Sequence, residues 1–497
     1  MLLRNSIWNM AGAALPAITA LATVPLLISA LGVEGYGIVT LIAAVIGYFA
    51  VLDVNFSAGA IKFLAESHTA KDRERFAETF WFGAMFYGAL GLLGATIIYF
   101  SAELFLLRFF EVSPSAREQT VTAFKIAAAG FLLTQVQNYL LVVPQALQRY
   151  DRSAQSEAFF GIFVNIASVV VAMAGGGIVG VTLVRISISS MNVLYLTWLI
   201  RQFDLHLAFR FPSKTTRNSL VSFSAYAYLS KIASTLHEHG DKLIVGALAG
   251  PVAVTFYSVP ATLASRILGL TYRLSSVIYP SASSLAASER IDELRPMYLS
   301  AMRYVTYINL IALGMIVLAG DEFLQRWVGE SFLEKGYPVL VLMTLALLVD
   351  SFTNIPSLVN DALGHPKVTG KFALARGLIG IGLVYIGTAT AGIMGAAVAH
   401  LLASILMTAC FLLFVHGRTV PISFSDAWRD GFGRSVMVGF FILAVLLPVK
   451  WLFLDGLLGT VAIVSTAVVA LGIAGFMFIV SVDQRTALLS MFRRLGV

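Results

Sequence analysis

In "STLHEHGDKLIVG", residues 234–246, six polar or glycine residues follow one another, His237-Glu238-His239-Gly240-Asp241-Lys242, inside an apolar stretch. Metal ligation, proton exchange and anion contact are the chemistries such residues support. Metal ligation fails on spacing: a helix sends the imidazoles of His-x-His about 200° apart, and the His-Glu-x-x-His pattern is absent. No metal and no cofactor are expected. Proton exchange survives. His237 and Asp241 share one helical face, Glu238 and Lys242 the next, and the second pair has the favourable acid-before-base order. Glu238 and Asp241 are therefore candidate ion-coupling acids, and Asp53, beside Asn55, is a third. The remaining side chains suit a polar cavity wall, and Gly240 is a candidate break that would expose backbone there.

A second set is basic. Lys125, Arg185, Lys231, Lys242, Arg266, Arg273, Arg303, Arg376 and Lys450 fall in or near apolar runs. A charge at mid-bilayer costs about 3 kcal/mol on insertion scales, so it normally faces water or a counter-charge. Lys125, Arg303, Arg376 and Lys450 lie close enough to run ends to snorkel. Arg266 and Arg273, two helical turns apart on one face, and Lys231 and Arg185, well inside their runs, are candidate substrate-binding residues. A guanidinium matches phosphate oxygens bidentately, so an anionic ligand is expected. The competing reading pairs these cations with Glu238, Asp241 or Asp350 in neighbouring helices.

The elements that must position them are membrane spans. The chain has 497 residues, of which 58% are hydrophobic and 12% charged, against roughly 25% charged in soluble domains. The apolar runs do not alternate as barrel strands do, which predicts an all-α polytopic membrane protein. Fourteen spans fit, among them 36–61, 178–200, 219–248, 253–285 and 372–390. With both termini cytoplasmic, the inner segments carry twenty-one Lys and Arg and the outer ones only Arg108, Arg117, Arg326 and Lys335, as the positive-inside rule requires. The first segment, with Pro16 and Pro25, reads as an uncleaved first helix. The net charge of +7 belongs to cytoplasmic loops facing anionic lipid, with no nucleic-acid partner implied. Cys410 stands alone, which excludes a disulfide framework. No phosphate loop is present and no connecting segment exceeds about twenty residues, so transport work would draw on a gradient, with proton or sodium as the coupling ion.

A shift of 221 residues overlays 36–67 on 257–288, matching Tyr36 with Tyr257, Ala43 with Ala264, Ile46 with Ile267 and Ser67 with Ser288. This repeat suggests an N-terminal lobe over 1–217, a C-terminal lobe over 218–434, and two appended helices with a cytoplasmic tail over 435–497.

Several ordered motifs carry a resemblance. "LDVNFSAGAIKFLAES" (52–67), "LQRYDRSA" (147–154), "DKLIVGALAG" (241–250) followed by Tyr257, and "ALGHPK" (362–367) resemble elements of the Wzx-type polysaccharide flippases. Asn55 departs from that pattern, which has glycine there. The resemblance runs nearly end to end and implies a MATE-like fold of the MOP superfamily in the bacterial inner membrane. It implies a flippase, not an enzyme, that moves an undecaprenyl-pyrophosphate-linked oligosaccharide to the periplasmic leaflet by alternating access, with polysaccharide polymerase or export machinery as partners. Other members carry other cargo. Lipid II flippases have arginines in the first span, where this chain has none beyond Arg4, and multidrug antiporters have acidic cavities, whereas basic residues dominate here. A membrane glycosyltransferase or polymerase would need a larger periplasmic loop than 101–119.

Overall fold

The computed structural model describes residues 2–49, 56–203, 205, 207–275, 278–288, 290–453, 456–480 and 485–486. Asp53 lies outside them, as do the side chains of Lys231, His237 and Arg273. The described residues contain helices and no strand, as a chain dominated by long apolar runs requires, because a helix satisfies its own backbone in lipid. Among the described residues, ten helices are long and apolar enough to cross a membrane. Backbone contacts divide the chain into two compact units: Met1–Ser258 with Thr388–Ile393, and Val259–Gly387 with Met394–Val497.

The first unit holds α1 (Leu2–Phe49), α2 (Phe56–Thr69), α3 (Arg73–Arg108), α4 (Arg117–Leu140), α5 (Val142–Ala146), α6 (Tyr150–Val171) and α7 (Gly177–Gln202), then the greater part of α8 (Lys214–Ser275). Its core is aromatic at one end. Tyr87 and Tyr139 stack with centroids 5.3 Å apart. The Tyr139 hydroxyl donates to the Phe80 carbonyl at 2.7 Å, so a wholly buried phenol still has its acceptor. The second unit holds α9 (Ile278–Ala287), α10 (Ile291–Val328), α11 (Ser331–Lys335), α12 (Tyr337–Ser351), α13 (Asn354–Ala362), α14 (Pro366–Arg418), α15 (Phe424–Asp426), α16 (Gly433–Phe453) and α17 (Gly456–Ala474). π-helical turns at Ala427–Phe432 and Gly475–Ile479 flank the last two.

The longest helices are broken where the expected spans leave gaps. α14 has 53 residues, about 80 Å of unbroken helix, more than twice the roughly 30 Å hydrocarbon core. It breaks at Ala391–Gly392 and doubles back, so that Gly387 packs against the Gly395 backbone. α6 and α7 form a hairpin around Gly175 and Gly177; Ser156 donates to Asn192 Oδ1 at 2.7 Å across it. α1 breaks at Gly32 (φ 74°, ψ 168°) and α8 at Gly250 (φ 78°, ψ 174°). Both sit at positive φ in an extended ψ that side-chain-bearing residues rarely adopt, and that explains glycine at each. At Gly240 the helix continues without a break. The expected interruption there is absent, and the chain turns ten residues later, where Gly250-Pro251 supplies both the conformation and a missing amide donor.

Candidate translocation site

The intramembrane cations separate into two groups. Lys450 Nζ on α16 donates to both carboxylate oxygens of Asp321 on α10, at 2.7 and 2.6 Å, with the lysine side chain 12% exposed. Arg376 on α14 reaches Asp350 Oδ2 on α12 at 3.4 Å and Ser404 Oγ, past the α14 break, at 2.7 Å. Arg303 donates to the main-chain carbonyls of Asp430 (3.0 and 2.8 Å) and Ile479 (3.3 Å). Lys125 meets Glu103 at 2.6 Å. Each of these four, expected to snorkel from near a span end, is held by a partner on a neighbouring segment. Distance from a span end measures the cost of reaching water but says nothing about an acceptor on a neighbouring helix.

Arg185 and Arg266 differ. Arg185 lies eight residues into α7 from the hairpin turn, about 12 Å of helix rise, and its Nε contacts Ser168 Oγ at 3.4 Å. Arg266 lies on α8 beyond the Gly250 break, with its side chain exposed. Among the described residues, neither has a carboxylate within 4.0 Å. Of the acids that the competing reading assigned to them, Asp350 is engaged by Arg376 and Asp241 by Tyr257, while Glu238 is exposed. Arg185 belongs to the first unit and Arg266 to the second. The helix around Lys231 and Arg273 is present, and their side chains lie outside the described residues.

The polar stretch 237–242 divides between exposed and buried side chains. Glu238 is exposed, and Lys242 Nζ donates to its main-chain carbonyl at 3.0 Å. Asp241 is 8% exposed; its Oδ2 accepts from the Tyr257 hydroxyl at 2.9 Å and its Oδ1 from the Lys242 amide at 2.8 Å. The His239 ring lies over Gly47 of α1, where a Cβ would meet its Cδ2 at 2.8 Å. The same close approach continues along α1. Gly246 accommodates Leu41, Gly37 accommodates the Pro251 carbonyl, and Thr255 Oγ1 donates to the Val33 carbonyl at 2.7 Å. Glycine lets two helices meet backbone to backbone in lipid. Sequence reading missed this seam because its glycines, at 37, 47 and 246, follow no short motif. Asp321 gives no signal in sequence, because its partner Lys450 lies 129 residues away.

The match to a family model covers residues 2–286, more than half of the chain, and that model describes a polysaccharide biosynthesis protein. The chain belongs to this polysaccharide biosynthesis family. Among relatives of this family member, a Shigella flexneri protein named as an O-antigen transporter is 23% identical over 432 residues, covering 85% of this chain and 99% of the relative. A Haloferax volcanii protein named as the flippase AglR is 22% identical over 383 residues, 76% of this chain and 75% of its own. The fold is that of solved MOP-superfamily transporters. The lipid II flippase MurJ in an inward closed conformation superposes with a TM-score of 0.76 at 13% identity, covering 95% of this chain and 98% of MurJ. An inward-facing MATE multidrug resistance transporter gives 0.68 at 15% identity, covering 83% and 98%.

Proposed function

We propose that this family member is a flippase that carries a pyrophosphate-linked oligosaccharide on a polyprenyl lipid from the cytoplasmic to the periplasmic leaflet of the inner membrane. The observation that carries the reading is that Arg185 and Arg266 lie on apolar helices without a carboxylate within 4.0 Å among the described residues, while Arg376 and Lys450 have one. An uncancelled guanidinium in a membrane protein wants water or an anion, and a pyrophosphate offers bidentate oxygens. The names of the relatives as O-antigen transporter and flippase support the same cargo class. The oligosaccharide itself needs only hydroxyl contacts, so the charge requirement falls on the pyrophosphate. Arg273 and Lys231 extend the cationic set along α8, and a polysaccharide polymerase would receive the product.

Each of the four helix breaks turns one long helix into two crossings, so the ten apolar helices correspond to fourteen spans, arranged as lobes 1–217 and 218–434 with 435–497 appended. Coupling to proton or sodium is assigned to Glu238, Asp241 or Asp53. Of these, the exposed Glu238 is best placed to exchange a proton, because Asp241 is held by Tyr257.

Export of lipid-linked sugar and folded yield, measured on Arg185→Ala and Arg266→Ala, test the reading. Both variants should fold at near-normal yield and lose export, and lysine at either position should keep part of it. Loss of folded protein that is restored by neutralising a nearby acid would instead make these arginines structural.

A further inference from the structure

We infer that a groove at the start of α10 binds the head group of an aminophospholipid, with its phosphate on Arg303 and its ammonium on Asp430. The groove has a volume of about 580 Å³, and Arg295, Met297, Ser300, Arg303, Tyr304 and Asp430 line it. Of its three charged residues, Arg303 and Asp430 are of opposite sign and form no ion pair with each other within 4.0 Å among the described residues. Arg303 spends its bonds on the carbonyls of Asp430 and Ile479, which hold the guanidinium in place without removing its charge. A guanidinium has five N–H donors, so two remain for a ligand. The Asp430 carboxylate has no Lys or Arg within 4.0 Å among the described residues. Arg295 is already committed, with Asp426 Oδ2 at 2.9 Å.

A cavity with one free cation and one free anion selects a zwitterion. A purely anionic head group would satisfy Arg303 and be repelled by Asp430. A choline head group would bring a positive charge with no N–H to donate, so the carboxylate would lose its hydrogen bonds. Ethanolamine supplies both the charge and the donors. Ser300, whose hydroxyl donates to the Met297 carbonyl at 3.0 Å, leaves its oxygen as an acceptor for the ammonium, and the Met297 side chain gives the glycerol esters an apolar wall. Depth agrees: these residues immediately precede the apolar run 305–320 of α10, the level of lipid head groups, and the basic-residue bias places that level in the cytoplasmic leaflet. A polyprenyl pyrophosphate has no ammonium, so this site is separate from the cargo reading and does not depend on it. Because Arg303 joins the Ala427–Phe432 turn to the end of the last helix, an occupied groove would brace three segments at once.

The test is native mass spectrometry of the full chain released from bilayers of equimolar phosphatidylethanolamine, phosphatidylglycerol and phosphatidylcholine with identical acyl chains. Phosphatidylethanolamine should be retained preferentially. Asp430→Asn should reduce its preference over phosphatidylglycerol by about tenfold, the scale of one charged hydrogen bond, and it should fold, because Arg303 is held by the carbonyl of residue 430 and not by its carboxylate. As a check free of substitutions, soluble phosphoethanolamine should raise the Tm of the wild-type protein more than glycerol phosphate does. Equal retention of the three lipids, retention of none, or an unchanged preference in Asp430→Asn would overturn the assignment.

Discussion

The Tyr257 hydroxyl donates to Asp241 Oδ2 at 2.9 Å, closing the α8 hairpin across Gly250. The carboxylate is buried, and its other oxygen takes the Lys242 amide. Phenol and carboxylate thus fix the angle at which the two halves of α8 leave the glycine. Tyr257→Phe should lower the Tm of the purified protein, by the equivalent of about 1.5–3 kcal/mol for a hydrogen bond to a charged group. Glu238→Gln, three residues before Asp241 and exposed, should leave the Tm near normal and weaken export driven by an imposed pH gradient. The reverse pattern would move the coupling role to Asp241.

The Lys450–Asp321 pair joins α16 to α10 within the second unit. Removing one partner strands the other in a largely buried site, so Lys450→Ala should cost about 3 kcal/mol of stability. Combining it with Asp321→Ala should recover most of that loss. Melting curves of the two single variants and the double variant check this, and a double variant no better than Lys450→Ala would show that the pair is not the source of the loss.

The glycine seam predicts a position-specific steric cost. A Cβ on Gly37 would overlap the Pro251 carbonyl oxygen, which is backbone and cannot swing away. Gly37→Ala should therefore destabilise by about 1–3 kcal/mol, as overpacking does. At Gly88 and Gly472 a Cβ meets nothing within 4 Å, so alanine there should be neutral or mildly stabilising, because it restricts the unfolded chain. Thermal unfolding of the three variants under one detergent condition makes the comparison.

Topology is open to direct test. Reporter fusions at Arg73, Ser213, Glu289 and Arg429 should report the cytoplasm, and fusions at Pro114 and Glu330 the periplasm. One inverted site would remove the fourteen-crossing arrangement, because every span after it would change direction.

The sequence by itself determined that the chain is helical and membrane-embedded, and it located the gaps at which α1, α8 and α14 and the α6–α7 pair turn. Hydropathy is summed along the chain, and lipid forbids unpaired backbone, so these properties need no knowledge of neighbours. It also nominated Arg185 and Arg266 as charges on apolar helices. What only the tertiary structure decided is which charges are cancelled. Arg376 and Arg266 look alike in sequence, each an arginine within an apolar run, yet Arg376 meets Asp350 and Ser404 on other segments while Arg266 meets no carboxylate among the described residues. Asp241, a candidate coupling acid, accepts the Tyr257 hydroxyl, and Gly240 stays helical while Gly250 turns. Pairing depends on distances between helices that only packing sets, and a buried acid and a water-facing acid have the same local sequence.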